Sequence, residues 1–217
     1  MTKSSKTLFV DTATKSVLLA LVIDGVVTDL VCQEGQNNHS VTILPLLDDL
    51  LKRQNIALRD LTELIVGIGP GSYTGVRIGV SIAKMIGYLN DIPVRTVSSL
   101  ALLASSASAG TVVGFIDARR ENAFMACYDI TDDVMTERVA DTLENVEAFQ
   151  TRIPKPYQIV SAGIPDVLKI LRSHLTFPVP DIHALVPNYL QVTEAEHIFR
   201  CAPNERAEAE HNKKASA

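Results

Sequence analysis

What the 217-residue sequence has little of narrows the possibilities first. It has no tryptophan and only three cysteines, Cys32, Cys127 and Cys201, an odd number with neither a CxxC pair nor metal-ligand spacing. That excludes a disulfide framework and leaves reduced thiols that serve as packing residues. No apolar run approaches the roughly 18 residues of a membrane-spanning helix, and no signal-peptide pattern precedes the first apolar strand. A cytoplasmic protein without a membrane partner is expected. Cations are outnumbered, with 20 Lys and Arg against 25 Asp and Glu and a net charge of −5. That excludes a broad basic surface gripping nucleic acid unaided; if RNA is the substrate, another subunit supplies most of the phosphate contacts. The length suffices for one large domain or two small lobes.

Against these absences stands one information-rich stretch, residues 64–79, LIVGIGPGSYTGVRIG. A short apolar strand runs through a Gly/Pro/Ser loop into a helical pattern, with Ser72 or Thr74 placed to cap the helix start. Such a loop can hold an anion or can simply turn the chain. It is not a Walker A loop, because Thr74-Gly75-Val76 stands where Gly-Lys-Ser/Thr is required. In the helix that follows, Arg77, Ser81, Lys84 and Tyr88 form a narrow polar stripe, and Gly75, Gly79, Ala83 and Gly87 form a row of small residues. Glycine costs a helix up to about 1 kcal/mol against alanine, so the row needs a packing reason. Either this is a central core helix, or it meets its own sheet on one side and a partner subunit on the other.

The rest of the chain reads as strands and helices in a repeated order. Residues 7–10, 17–22 and 26–32 are strands, with Asp24-Gly25 as the hairpin turn and Asp11 at the first bend. Residues 41–51 form a helix with a wide apolar face, in which Pro45 must lie in the first turn or cause a kink. Residues 92–97 are a strand, and Ser98 caps a helix over 99–105. The run Ser-Ala-Ser-Ala-Gly at 106–110 is the expected boundary between lobes. After it, strands 111–116 (ending at Asp117), 123–128 and 134–139 repeat the opening unit, with the turn at 131–133. A helix from Thr142 or Glu144 to Thr151, a strand at 157–161 and a helix at 165–174 complete the second half. The expected division is an N-terminal lobe at 1–105, a smaller C-terminal lobe at 106–200, and a disordered tail at 201–217.

Catalytic chemistry is sparse. An H-x3-H metal site starting at His39 would need its second ligand at position 43, which is Ile43. Ser72 lies in a glycine turn that is not a G-x-S-x-G elbow, and no histidine is paired with it. Asp117-Ala118-Arg119-Arg120 places two guanidiniums beyond a strand end, suited either to an anion or to plain solvation.

These residues together resemble the TsaB (YeaZ) family. The signature Ile68 to Gly79, the start Leu8-Phe9-Val10-Asp11-Thr12-Ala13, His39-Ser40 with Leu44-Pro45 and Leu46-Leu47, Asp117-Ala118-Arg119-Arg120, and Pro187-Asn188-Tyr189-Leu190 with Glu194-Ala195-Glu196 carry the resemblance. It covers residues 7 to 198 and weakens between 140 and 185. The resemblance implies an α/β fold of the actin-like, Hsp70-like ATPase (ASKHA) type with two related lobes. It also implies a part in making N6-threonylcarbamoyladenosine (t6A) at position 37 of tRNAs that read ANN codons. The implied role is that of a non-catalytic subunit that binds and activates the transferase TsaD together with TsaE. The chain alone would bind no cofactor; ATP or ADP and metal would sit on the partner subunits, and tRNA would be met only through the complex. A homodimer is the implied alternative in isolation.

Two apolar helices suggest the docking surface, with Leu44, Leu47, Leu51, Gly75, Val76, Gly79, Val80, Ala83, Ile86 and Gly87 as partner-binding residues. On that reading a large charged side chain at Gly79 or Ala83 uncouples the partner and leaves the monomer folded. Asp11, Thr12 and Arg119 are nucleotide-binding candidates; no catalytic or metal residue is assigned. A peptidase and a small-molecule kinase of the same fold are the competing functions.

Overall fold

The computed structural model describes residues 4–34 and 39–190; the expected tail at 201–217 and the Glu194-Ala195-Glu196 motif lie outside the described residues. Strands β1 (Lys6–Asp11), β2 (Ser16–Ile23) and β3 (Val26–Glu34) form an antiparallel meander. Asp24 and Gly25, both at positive φ, make the tight turn between β2 and β3 that their sequence announces. Helix α1 (His39–Arg53), strand β4 (Glu63–Gly67), helix α2 (Tyr73–Asn90), strand β5 (Val94–Val97) and helix α3 (Ser99–Ala104) follow. The second half contains β6 (Gly110–Asp117), β7 (Asn122–Thr131), β8 (Val134–Asn145), α4 (Val146–Thr151), β9 (Tyr157–Val160), α5 (Val167–Arg172) and β10 (Thr176–Pro178).

The two sheets share one plan. The first is ordered β10-β5-β4-β1-β2-β3 and the second β8-β7-β6-β9. In each, the leading strand of a meander pairs parallel with the strand that follows a helix: β1 with β4, and β6 with β9. The strand, Asp, strand, turn, strand repeat of the sequence is therefore a repeat of topology.

Alternation along the strands divides the core into layers. Leu8 and Val10 of β1, Val17, Leu19 and Leu21 of β2, and Leu64 and Val66 of β4 face α1 and α2. Their neighbours Phe9, Leu18, Ala20, Val22 and Ile65 face the opposite way, onto α3 and α5. Strand β7 divides likewise: Phe124, Ala126, Tyr128 and Ile130 enter that same middle layer, and Ala123, Met125 and Cys127 pack towards Phe149 of α4. Both sheets are apolar on two faces because both are covered on two faces. Every residue of α3 is buried, as a helix held between two sheets must be. Just past its C-terminus, the carbonyls of Ser105 and Ala107 accept hydrogen bonds from the buried Lys169 ammonium of α5 at 3.0 and 2.6 Å, an arrangement that also suits the negative end of the helix.

Three sequence expectations change. Strand β8 runs to Asn145 instead of ending near 139, because ten-residue β7 needs a partner along its length; irregularities in register absorb the mismatch. Pro45 lies within α1, beyond its first turn. Strand β10, three residues long, was not expected; it adds antiparallel to β5 and returns the chain to the first sheet. Leu185 is buried in the same core as α1 and α2. A contiguous cut at 105/106 therefore leaves β10, a strand of the first sheet, and Leu185, part of its core, on the far side.

A candidate docking face and the loop that seats it

The loop 68–72 is anchored from below by β1. The Asp11 side chain accepts hydrogen bonds from Ala13 N–H and the Ser99 hydroxyl, both at 3.0 Å. Ser99 Oγ in turn accepts from Gly69 N–H at 3.1 Å, and the Ser72 N–H donates to the Ala13 carbonyl at 2.7 Å. Ser72 caps α2, its hydroxyl accepting from Gly75 N–H. Of the two capping candidates it is Ser72 that serves.

Thr12 does something the sequence did not announce. Its hydroxyl donates to the Gly75 carbonyl at 2.6 Å and accepts from Gly79 N–H at 3.0 Å. It thus touches both members of one i, i+4 pair of the continuous helix. The hydroxyl can come this close only because positions 75 and 79 carry no side chain: a Cβ on Gly79 would lie 2.7 Å from Thr12 Oγ1, and one on Gly75 would overlap the Thr12 carbonyl. The small-residue row has a packing reason inside the chain: Gly75 and Gly79 seat Thr12, just past β1, and Gly87 meets Val94 of β5 and Ile182.

Nine of the ten expected docking residues are used inside the chain. Gly75, Val76, Gly79, Val80, Ala83, Ile86 and Gly87 of α2 and Leu47 and Leu51 of α1 are all buried within the chain itself. They face the first sheet, where they pack with its strands. Of the ten, only Leu44 is exposed. A charged side chain at Gly79 or Ala83 would disrupt the fold and could not report on a partner. The solvent side of the two helices carries a different apolar set: Val41 (71% exposed), Leu44, Tyr73, Met85, Tyr88 (63%) and Leu89 (72%). The polar stripe is confirmed beside it, with Arg77 and Ser81 exposed and Lys84 donating to the carbonyls of His183 and Leu185 at 2.9 and 3.1 Å.

The nucleotide candidates do not form an open site. Asp11 and Thr12 are buried, and their side chains hold the loop and α2 together. Arg119 is exposed on the β6–β7 turn, where Arg119, Arg120 and Glu121 all have positive φ and Asp117 accepts from Arg119 N–H at 2.8 Å. Ile43, where an H-x3-H site would need a ligand, is fully buried in the core.

A second polar cluster joins the sheets. The carboxylate of Asp141, on the irregular part of β8, accepts from the Ser98 hydroxyl at 2.7 Å and from the Asn188 side-chain amide at 3.4 Å. Burial pushes its pKa up to about 6, with Glu137 adding to the rise and the bonds from Ser98 and Asn188 opposing it. Asn188 also donates its N–H to the Ile68 carbonyl at 2.7 Å. Its neighbour Tyr189 stacks on Tyr73 at the start of α2. The segment 187–190 was legible as a motif; its role as a strap from the second sheet to α2 was not, since no periodicity encodes it.

With the geometry in place, comparison with known proteins decides the family. A family model described as TsaD, tRNA N6-adenosine threonylcarbamoyltransferase, matches residues 28–183. A Bacillus subtilis protein named tRNA threonylcarbamoyladenosine biosynthesis protein TsaB is 30% identical over 218 aligned positions, covering 87% of this chain and 95% of that protein. The chain belongs to the TsaB family. The Escherichia coli protein of the same name is 38% identical over 128 positions, 56% of this chain and 54% of that one. The solved structure of YeaZ from Pseudomonas aeruginosa superposes with a TM-score of 0.71 at 25% identity, over 86% of this chain and all of that one. The chain thus has an ASKHA-like α/β fold, with the β-β-β-α-β unit occurring once in each of its two sheets. No helix among its described residues is long and apolar enough to cross a membrane.

Proposed function

We propose that this chain is a non-catalytic subunit for the formation of t6A on tRNAs reading ANN codons, acting by binding and activating TsaD, with TsaE joining the assembly. The observation that carries the reading is the apolar set on the outer side of α1 and α2. Six large apolar side chains stand exposed on two helices whose other faces are fully used by the core. Tyr73 and Tyr88 pack on Tyr189 and His183 within the chain, whereas the exposed Val41, Leu44, Met85 and Leu89 suit an interface. The names of the relatives supply the process, t6A biosynthesis. On this reading ATP or ADP and metal are held by the partner subunits, and tRNA is met through the complex, in keeping with the net charge of −5.

The docking face is tested with Met85→Asp and Leu89→Asp, each of which replaces an exposed apolar group without touching the core. Both are expected to weaken TsaD binding at least tenfold by calorimetry while leaving the thermal midpoint of the isolated chain in place. Unchanged affinity in both variants would remove α2 from the interface. Depletion of the protein followed by nucleoside analysis of bulk tRNA tests the process itself, with loss of t6A as the expected result.

A further inference from the structure

Arg77 stands on the exposed side of α2 with its guanidinium already fixed. Its Nε–H donates to Tyr189 Oη at 2.7 Å. Its central carbon lies 4.4 Å from the centroid of the Tyr73 ring and 5.9 Å from that of Tyr189. The two rings stack on each other at 4.8 Å with 28° between their planes. Tyr189 is itself held through Asn188, whose N–H reaches the Ile68 carbonyl at the root of the same helix. An exposed arginine ordinarily samples many rotamers; here a hydrogen bond and two aromatic faces restrict it. Only one of its five N–H donors is used by the contacts found among the described residues. Among the described residues the two terminal nitrogens have no acceptor, and Arg77 shares the exposed side of α2 with Ser81, Met85 and Tyr88.

We propose that Arg77 is a preorganised receptor for a carboxylate of the docked partner, an Asp or Glu side chain of TsaD set among apolar residues. The inference rests on the docking reading above and specifies its chemistry. A planar fork matches a carboxylate through two parallel N–H···O bonds, which an ammonium cannot reproduce. A nucleic-acid backbone fits less well: phosphate recognition uses several spread cations, and this face offers one guanidinium flanked by aromatic and apolar groups. Tyrosine and arginine are also the residue types on which binding energy concentrates at interfaces.

The test uses the full chain and purified TsaD, with affinities measured at low and high salt for Arg77→Gln, Arg77→Lys, Tyr189→Phe and the controls Met85→Asp and Leu89→Asp. Arg77→Gln is expected to weaken binding about tenfold or more, and Arg77→Lys nearly as much, because the fork and not the charge alone is recognised. Tyr189→Phe keeps the ring stack but frees the guanidinium, with an expected loss of about two- to fivefold. The salt dependence seen with the parent chain should flatten in Arg77→Gln, a readout that a purely structural role would leave alone. If Met85→Asp abolishes binding while Arg77→Gln stays within twofold of the parent, the carboxylate receptor is wrong and the docking face stands. If Met85→Asp and Leu89→Asp both bind normally, the docking reading fails and this inference falls with it. If Arg77→Gln alters self-association by sedimentation but not TsaD affinity, the carboxylate belongs to a second copy of the chain and the assignment to TsaD is overturned.

Discussion

The Ser98 hydroxyl has one hydrogen and two lone pairs, and the fold uses all three. It donates to Asp141 and accepts from the N–H groups of Leu100 and Ala101 at the start of α3. By hydrogen-bond geometry nothing is left for Tyr128, whose buried hydroxyl has no partner among the described residues. An orphaned buried hydroxyl costs on the order of 1 kcal/mol or more. Tyr128→Phe is therefore expected to keep or raise the thermal midpoint, by a few degrees at most, in a differential scanning calorimetry comparison. Asp141 makes a prediction in pH. Its folded pKa is about 6 against an ordinary 3.8, so between those values the folded chain keeps a proton that the unfolded chain has released. Stability from this group is present at low pH and is lost as pH rises through about 6. At roughly 1.4 kcal/mol per pKa unit, the loss is on the order of 2–3 kcal/mol. Asp141→Asn should remove that slope, so that variant and parent converge near pH 4 and separate in the variant's favour near pH 7 in urea titrations. A gap that did not change with pH would contradict the burial of this carboxyl.

Helix α2 shows what a sequence does and does not reveal about an element. Its start at Ser72, its length, its polar stripe and its small-residue row were all legible, because capping, 3.6-residue periodicity and the cost of glycine are local properties. Which way the row faced was not legible, since a close-approach surface looks the same whether the approaching group is a partner or a strand of the same chain. Thr12 resolves it, 63 residues before Gly75 in sequence and yet hydrogen-bonded to it. Thr12→Val keeps the shape but leaves Gly75 C=O and Gly79 N–H in a buried site without the bridging hydroxyl; a loss of about 2–4 kcal/mol is expected. Thr12→Ser should recover most of it, and equal destabilisation by both would show that the methyl group, and not the bridge, matters. Three-residue β10 was invisible for the opposite reason: so short a strand has no alternation to read, and Pro178 argues against it.

At the scale of the molecule, the two sheets are held as one body by a shared middle layer of α3, α5 and the inward rows of β1, β2, β4 and β7. The repeated topology was foreshadowed by the two strand-Asp-strand units, while the return of the chain to the first sheet was not. Residues 1–105 expressed alone are expected to be insoluble or molten, because α3 would lose its cover and β5 its outer neighbour; coexpression with 106–190 should restore a soluble complex. A folded, monomeric 1–105 fragment would show the lobes to be independent. The position of β10 also bears on how the protein is made. The outer strand of the first sheet is encoded more than seventy residues after its neighbour β5, so a nascent chain emerging from the ribosome carries an open β5 edge through the synthesis of the whole second sheet. Completion of the first sheet is thus a late event in synthesis, and the interval before it is when the open β5 edge is most exposed to mispairing.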